Sequence, residues 1–264
     1  MSAMKLLVTT VVKADAALEA CARELAAKLS APYAERRKRS LPLLRNEYGC
    51  ETILVATRDG PVVHTAGGEY FFHLNLAELR IKNLIDGKHD HMTSAMGLTP
   101  GLAVLDCTLG LATDAIVASY AVGQEGRVVG LEASPVIAAV TGYGLANFVS
   151  DEPPVTAALR RVTALHADYN EYLTALPAHS FDVVYFDPMF RSPVEASASL
   201  RPLRPLADPR PLTAAALCEA TRVARLRVVM KEAAGSAEFS RLGFSRVVGG
   251  KYSSIHYGVL ETGG

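Results

Sequence analysis

Residues 181–190 read FDVVYFDPMF, from Phe181 to Phe190. Five of the first six are apolar or aromatic, the composition of a strand buried on both faces of a sheet. The run stops at Asp187-Pro188, which puts a carboxylate at the carboxyl end of that strand. In open α/β sheets ligands bind at that edge. Pro188 fixes its own φ and biases Asp187 toward extended backbone, so the Asp187 carboxylate and a backbone carbonyl form a pair of acceptors aimed the same way. Met189 and Phe190 follow, offering a flat, polarisable surface on which a planar ring can stack.

Upstream, strand-like and helix-like segments alternate. Strands are expected at 102–107, 127–131, 161–166, 181–187 and 226–231, and helices at 112–122, 135–148, 169–176 and 213–224. Such alternation predicts an α/β fold, a doubly wound and mainly parallel sheet with helices on both faces. The chain ends differently. Phe244 to Val248 and Ser254 to Leu260, joined through Gly249-Gly250, predict an antiparallel hairpin. Before the alternation, a strand at 6–12, a helix at 14–29 and a hairpin over 51–57 and 61–66 form a small N-terminal α+β unit. A helix follows from Leu74 to Ile85. The expected division is 1–73 for the small unit and 74–264 for the main one.

Four of the expected strands end in an acid: Asp106, Glu132, Asp168 and Asp187. One acid after a strand carries little information, but four in register make a site for a ligand rich in hydrogen-bond donors. After Asp106 the loop reaches Gly110, where the backbone can approach a ligand closely, and a helix starts whose N–H groups can face a carboxylate. Asp114 would sit in its first turn. Glu132 has the placement and chemistry to accept from two vicinal hydroxyls, and Asp168 to accept from an adenine amino group. The loop lacks G-x-G-x-x-G, so a nicotinamide dehydrogenase is disfavoured.

Half of the 264 residues are hydrophobic, 20% are charged and the formal net charge is zero, which excludes disorder and whole-protein attraction to nucleic acid. Charge is nevertheless uneven along the chain. Residues 106–190 carry three Arg against ten acids, and residues 191–231 carry eight basic residues against three acids. Within the second segment, 191–211 holds five prolines and four arginines, the pattern of a basic lid that orders on nucleic acid. The cysteines at 21, 50, 107 and 218 are dispersed without C-x-x-C, which argues against zinc and for a reducing, cytoplasmic location. No run is long enough to span a membrane. His89-Asp90-His91 lacks a third ligand and reads as surface, so no metal is expected. Arg36 to Arg39 reads as an exposed basic run able to meet phosphates. Tyr252, His256 and Tyr257 read as sheet-face packing, and Lys231 as an RNA contact or a strand cap.

The ordered acids and their loops identify a resemblance. From about residue 74 onward the chain resembles class I S-adenosylmethionine-dependent methyltransferases, through VLDCTLGLATD, VVGLE, LHADY and YFDPMF. LDCTLGLATD with YFDPMF is similar to the RsmJ-type family, which methylates guanine N2 in small-subunit ribosomal RNA. That family shows D-A-T-A-G-L-G-R-D and D-P-M-F-P; Leu109, Ala112, Thr113 and Arg191 depart from it. The resemblance implies a seven-stranded Rossmann-like sheet, S-adenosylmethionine as cofactor and ribosomal RNA as partner. Carried onto matching positions, it implies cofactor contacts at Thr113, Asp114, Glu132, Ala133, Asp168, Tyr169 and Asp187, beside Asp106 and Gly110. Asp187, Pro188 and Phe190 would carry the chemistry, while Met189, Arg191, Arg201, Arg204 and Lys231 would meet the substrate. Two alternatives remain open: transfer to a protein amide or small planar amine, and a cofactor- or RNA-binding module without turnover.

Overall fold

A computed structural model describes residues 5–74, 76–188 and 206–263. Met189, Phe190, Arg191, Arg201, Arg204 and most of the expected lid lie outside the described residues. Near the N-terminus, β1 (Leu6–Thr10) pairs in parallel with β2 (Thr52–Thr57), which continues antiparallel through β3 (Gly60–Thr65) to β4 (Gly68–Phe71). Between β1 and β2 run α1 (Ala16–Lys28), N-capped by Asp15, and α2 (Leu41–Tyr48), N-capped by Ser40. The expected strand, helix and hairpin are present; β4 and α2 were not expected. Gly67-Gly68 reads as a terminator, yet Thr65 Oγ1 accepts from Gly67 N and donates to Gly68 O, turning the chain back on itself. Pro42 masked α2, although proline in the first helical turn costs nothing.

Helices α3 (Ala77–Ile85) and α4 (His91–Met96) lead into the main alternation. It comprises β5 (Ala103–Asp106), α5 (Thr113–Val122), β6 (Arg127–Glu132), α6 (Pro135–Asn147), α7 (Pro153–Arg161), β7 (Val162–His166), α8 (Tyr169–Ala175) and β8 (Phe181–Phe186). After the gap come α9 (Ala214–Val223), β9 (Ala224–Ala233), α10 (Glu238–Arg241), β10 (Arg246–Val248) and β11 (Ile255–Glu261). The sheet order is β10-β11-β9-β8-β5-β6-β7, parallel from β9 to β7, with β11 antiparallel to both β9 and β10. The expected parallel sheet and closing hairpin are therefore found. Helix α7 was missed because Pro153-Pro154 reads as a loop but occupies a helix start.

β8 shows why an unbroken apolar run belongs in the centre of this sheet. Val183 and Tyr185 face the layer formed by α3, α4, α5 and α7, whereas Val184 and Phe186 face the layer formed by α8, α9 and α10. Each such side chain contributes ~1.5–3 kcal/mol on burial. The N-terminal sheet packs one face on α1 and on α6, through Val136, Ile137 and Val140. Phe72 sits against Gly144 of α6, where a β-carbon would lie 1.9 Å from the ring. Among the described residues no helix is long and apolar enough to cross a membrane.

Candidate functional site

The chain runs from β5 outward through β6 and β7, then returns to β8 on the other side of β5. That reversal opens a crevice beyond the carboxyl ends of β5 and β8, and Asp106 and Asp187 stand at it. One threonine joins them. Thr108 N–H donates to Asp106 Oδ1 at 2.9 Å, and Thr108 Oγ1 accepts from Asp187 N–H at 2.6 Å. Leu109 N–H continues the loop's hydrogen bonding onto Leu131 O, and Gly110 N–H donates to Glu132 Oε2 at 3.0 Å. Ser134 N–H donates to Glu132 Oε1 at 2.8 Å, so both oxygens of this buried carboxylate are held but retain lone pairs for a ligand. Burial pushes the Glu132 carboxyl up, against those N–H groups.

Gly110 has φ +51° and open space where a β-carbon would stand. Ala112 takes the left-handed conformation at φ 62°, strained for a residue with a β-carbon, and α5 starts from it. Among the described residues no side chain caps α5, so its first-turn N–H groups, from Thr113 onward, are available to an anionic ligand group. Asp168 N-caps α8, accepting from Asn170 through Oδ1 and from Arg210 Nη2 through Oδ2 at 2.7 Å. Burial would raise its carboxyl, but Arg210 and the Asn170 contacts hold it below the usual range. Arg210 is also paired with Asp208. Tyr169 is buried with its ring edge-on to Phe186, and Ala133 O lies 3.2 Å from His166 Nε2. The crevice thus presents the Glu132 and Asp168 carboxylates, an open glycine and a helix start without a side-chain cap among the described residues.

Beneath Asp187 lies a chain of charges. Lys231 Nζ donates to Asp187 Oδ2 at 2.7 Å and to Asp114 Oδ2 at 3.0 Å. Asp114 also accepts from Tyr185 Oη at 2.8 Å and from Arg80 Nη1 at 2.5 Å; Arg80 in turn pairs with Asp90. Burial would raise the Asp114 carboxyl, but Lys231 and Arg80 drive it far below the usual range. Burial would lower Lys231, and Asp114 and Asp187 instead raise it well above the ordinary lysine value. Asp114 thus sits in this network rather than facing the crevice alone, and Lys231 is committed to two carboxylates. Sequence reading missed Arg80, Tyr185 and Thr108. A hydroxyl inside the otherwise apolar VVYF was the available signal, because a buried tyrosine O–H needs a partner.

Asp90 N-caps α4 and bonds Arg80, while His89 and His91 contact each other edge-on. Arg39 is paired with Glu47 and bonded to Glu35 O. Tyr257 is buried in the sheet, but Tyr252 is 91% exposed in the turn before β11, correcting its expected packing role. Among the described residues no three His, Cys, Asp or Glu side chains gather as a metal-holding group.

Asp106 is almost fully buried, and burial raises its carboxyl to about 8. The folded state then holds a proton that the unfolded state releases near its usual value of about 4. Between these two values this group's contribution to stability falls as pH rises. Asp106→Asn cannot ionise. Denaturation at pH 5 and pH 9 should show the variant gaining on the parent with rising pH; parallel pH profiles would contradict the assignment.

Comparisons with known proteins agree with this geometry. Residues 71–248 match the family model described as "Putative SAM-dependent methyltransferase". The uncharacterized protein YpiP of Bacillus subtilis is 39% identical over 241 residues, 91% of this chain and 93% of that protein. The ribosomal RNA small subunit methyltransferase J of Halorhodospira halophila is 30% identical over 263 residues, 93% of this chain and 91% of the relative. A solved SAM-dependent methyltransferase from Neisseria gonorrhoeae shares the fold at a TM-score of 0.63 and 18% identity, covering 97% of this chain and 96% of that one. Given these matches and the crevice they fall on, the chain belongs to the S-adenosylmethionine-dependent methyltransferase family, with S-adenosylmethionine as its cofactor.

Proposed function

We propose that this methyltransferase acts on an exocyclic base amine, guanine N2 of small-subunit ribosomal RNA. The observation that carries this reading is the Asp187-Pro188 pair at the end of β8, with the Asp187 backbone fixed by Thr108. Among the described residues no group is bonded to Asp187 Oδ1, so it can accept from a substrate N–H. The likeness to ribosomal RNA small subunit methyltransferase J supports the choice of RNA.

The cofactor carries a ribose diol, an adenine amine and a carboxylate, groups whose hydrogen-bonding chemistry complements the acids and the helix start of the crevice. Glu132 would accept from the diol, Asp168 from the amine, and the α5 start at Thr113 would face the carboxylate. Ala133, Tyr169, Asp106 and Gly110 would shape the walls around them. When bound, the cofactor supplies a methyl group already activated on a sulfonium. The chain's own residues therefore have to align rather than activate. An exocyclic amine is a poor nucleophile because its lone pair is delocalised into the ring. Asp187 Oδ1 and the Pro188 carbonyl, each accepting one N–H, would pyramidalise the nitrogen and free that pair. That pair would then be directed at the methyl group the cofactor supplies, with the sulfonium sulfur as its leaving group. The extra proton on nitrogen passes to the Asp187 carboxylate and then to water. Phe190 would stack on the base and Met189 pack beside it, with Arg191, Arg201 and Arg204 meeting phosphates.

Two measurements test this. Incubation with labelled cofactor and undermodified small ribosomal subunits should place label on a guanine N2; label confined to protein or to another base would refute the assignment. Calorimetry on Glu132→Ala and Asp168→Ala should show cofactor affinity reduced about tenfold or more in each, the scale of losing a hydrogen bond to a charged group. Unchanged affinity in both would remove these acids from the cofactor site.

A further inference from the structure

We infer that Lys231 is a positioning residue: clamped between Asp114 and Asp187, it occupies Asp187 Oδ2 and leaves Oδ1 to receive the substrate amine. The inference rests on the reading that Asp187 receives that amine. The geometry argues against the RNA contact that was one of two sequence expectations for Lys231. Lys231 Nζ lies 2.7 Å from Asp187 Oδ2 and 3.0 Å from Asp114 Oδ2, and its side chain is 21% exposed. A cation that already holds two carboxylates at these distances is a poor counter-ion for a third partner. The β9 register supplies the placement. Met230 pairs with Phe186, so the next residue on each strand brings Lys231 beside Asp187. Tyr257 of β11 pairs with Lys231 from the other side.

Lys231 is needed because Asp187 has an unfavourable setting for charge. Burial and Asp114 push its carboxyl up, and it stays above the ordinary aspartate value, with Lys231 the strongest influence limiting that rise and Arg80 helping. Asp106 on β5, the Tyr185 hydroxyl on β8, Tyr257 on β11 and, beyond Arg80, Asp90 are further titratable groups around the pair. Of all these, Lys231 alone bonds the Asp187 carboxylate among the described residues. A protonated Asp187 could no longer offer two lone-pair sites to an amine, and the hydrogen it gained would oppose the substrate N–H. Asp114 completes the device. Held by Arg80 and Tyr185, it fixes the ammonium so that Asp187 Oδ2 is drawn to one position.

The test follows the Asp187 carboxyl itself. Carbon-13 NMR of the full-length protein, with the resonance assigned by its loss in Asp187→Asn, gives its titration independently of any substrate. Single-turnover methyl transfer with saturating cofactor gives the rate against pH. In Lys231→Met the carboxyl titration and the acid limb of the rate profile should both move to higher pH. The neutral-pH rate should fall on the order of 100-fold, with cofactor affinity within about twofold of the parent. Lys231→Arg should return both pH midpoints toward the parent even where its bulk costs rate. Should Lys231→Met fail to fold, Lys231→Met/Asp114→Asn compared with Asp114→Asn asks the same question without an unpaired Asp114. An unmoved carboxyl titration overturns the inference. So does a loss confined to substrate affinity and its salt dependence, which would return Lys231 to phosphate binding. Asp187→Asn turning over at the parent rate would instead refute the amine-acceptor reading itself.

Discussion

Asp187→Asn lowers the rate of methyl transfer by at least ~100-fold, the scale of losing one positioned catalytic contact. The substitution keeps the side chain's shape but exchanges an acceptor-only carboxylate for an amide whose NH₂ can face the substrate amine. Lys231 would favour the amide oxygen and so turn that NH₂ toward the Oδ1 position. Cofactor affinity should change far less, because Glu132 and Asp168 end other strands of the sheet. Phe190→Ala, by contrast, should act mainly on substrate binding, at ~1–3 kcal/mol for a lost stacking contact, with recovery in Phe190→Tyr. Single-turnover kinetics at saturating cofactor separates the two effects. An Asp187→Asn protein that transfers methyl at the parent rate contradicts the mechanism.

Asp114→Ala destabilises the fold by about 3–5 kcal/mol, the range for breaking a buried ion pair by removing one partner. It takes the partner from the Tyr185 hydroxyl, leaves Lys231 with Asp187 alone and leaves Arg80 with Asp90 alone. Asp114→Asn, which can still accept, should cost less. Because the folded-state carboxyl is held far below its unfolded value, its contribution is fully present above the ordinary aspartate range and fades as pH falls toward the folded value. Urea denaturation at neutral pH and near pH 3 measures both points. A loss under ~1 kcal/mol at neutral pH would mean the network carries little of the stability.

The strand-end acids were legible because each follows a buried apolar run, and sequence alone shows where such a run stops. Asp106, Glu132 and Asp187 came out as expected at the crevice for that reason. The partner of Lys231 was not legible, because it depends on the register of β9 against β8 and sequence does not carry that offset. Arg80 was equally hidden: its helix was visible, but which strand end that helix packs over is decided by the tertiary fold. The short elements α4 and α10 and the strand β4 escaped because four to six residues give too little periodicity to read. The departures from the RsmJ-type motif now have different weights. Thr113 opens α5, while Ala112 holds a left-handed backbone that glycine would adopt without strain.

The contact between Phe72 and Gly144 bears on how this protein can be taken apart or recombined. The ring fills the notch left by a missing β-carbon in α6, and α6 begins three residues after Glu132. A chain cut between residues 73 and 74 would lose that plug and uncover Val136, Ile137 and Val140 together, an apolar scar on the helix that follows Glu132. Exchange of the N-terminal sheet between relatives would have to carry α6 with it. The two sheets are separate in hydrogen bonding yet packed as one piece, with the seam running through the helix rather than the linker.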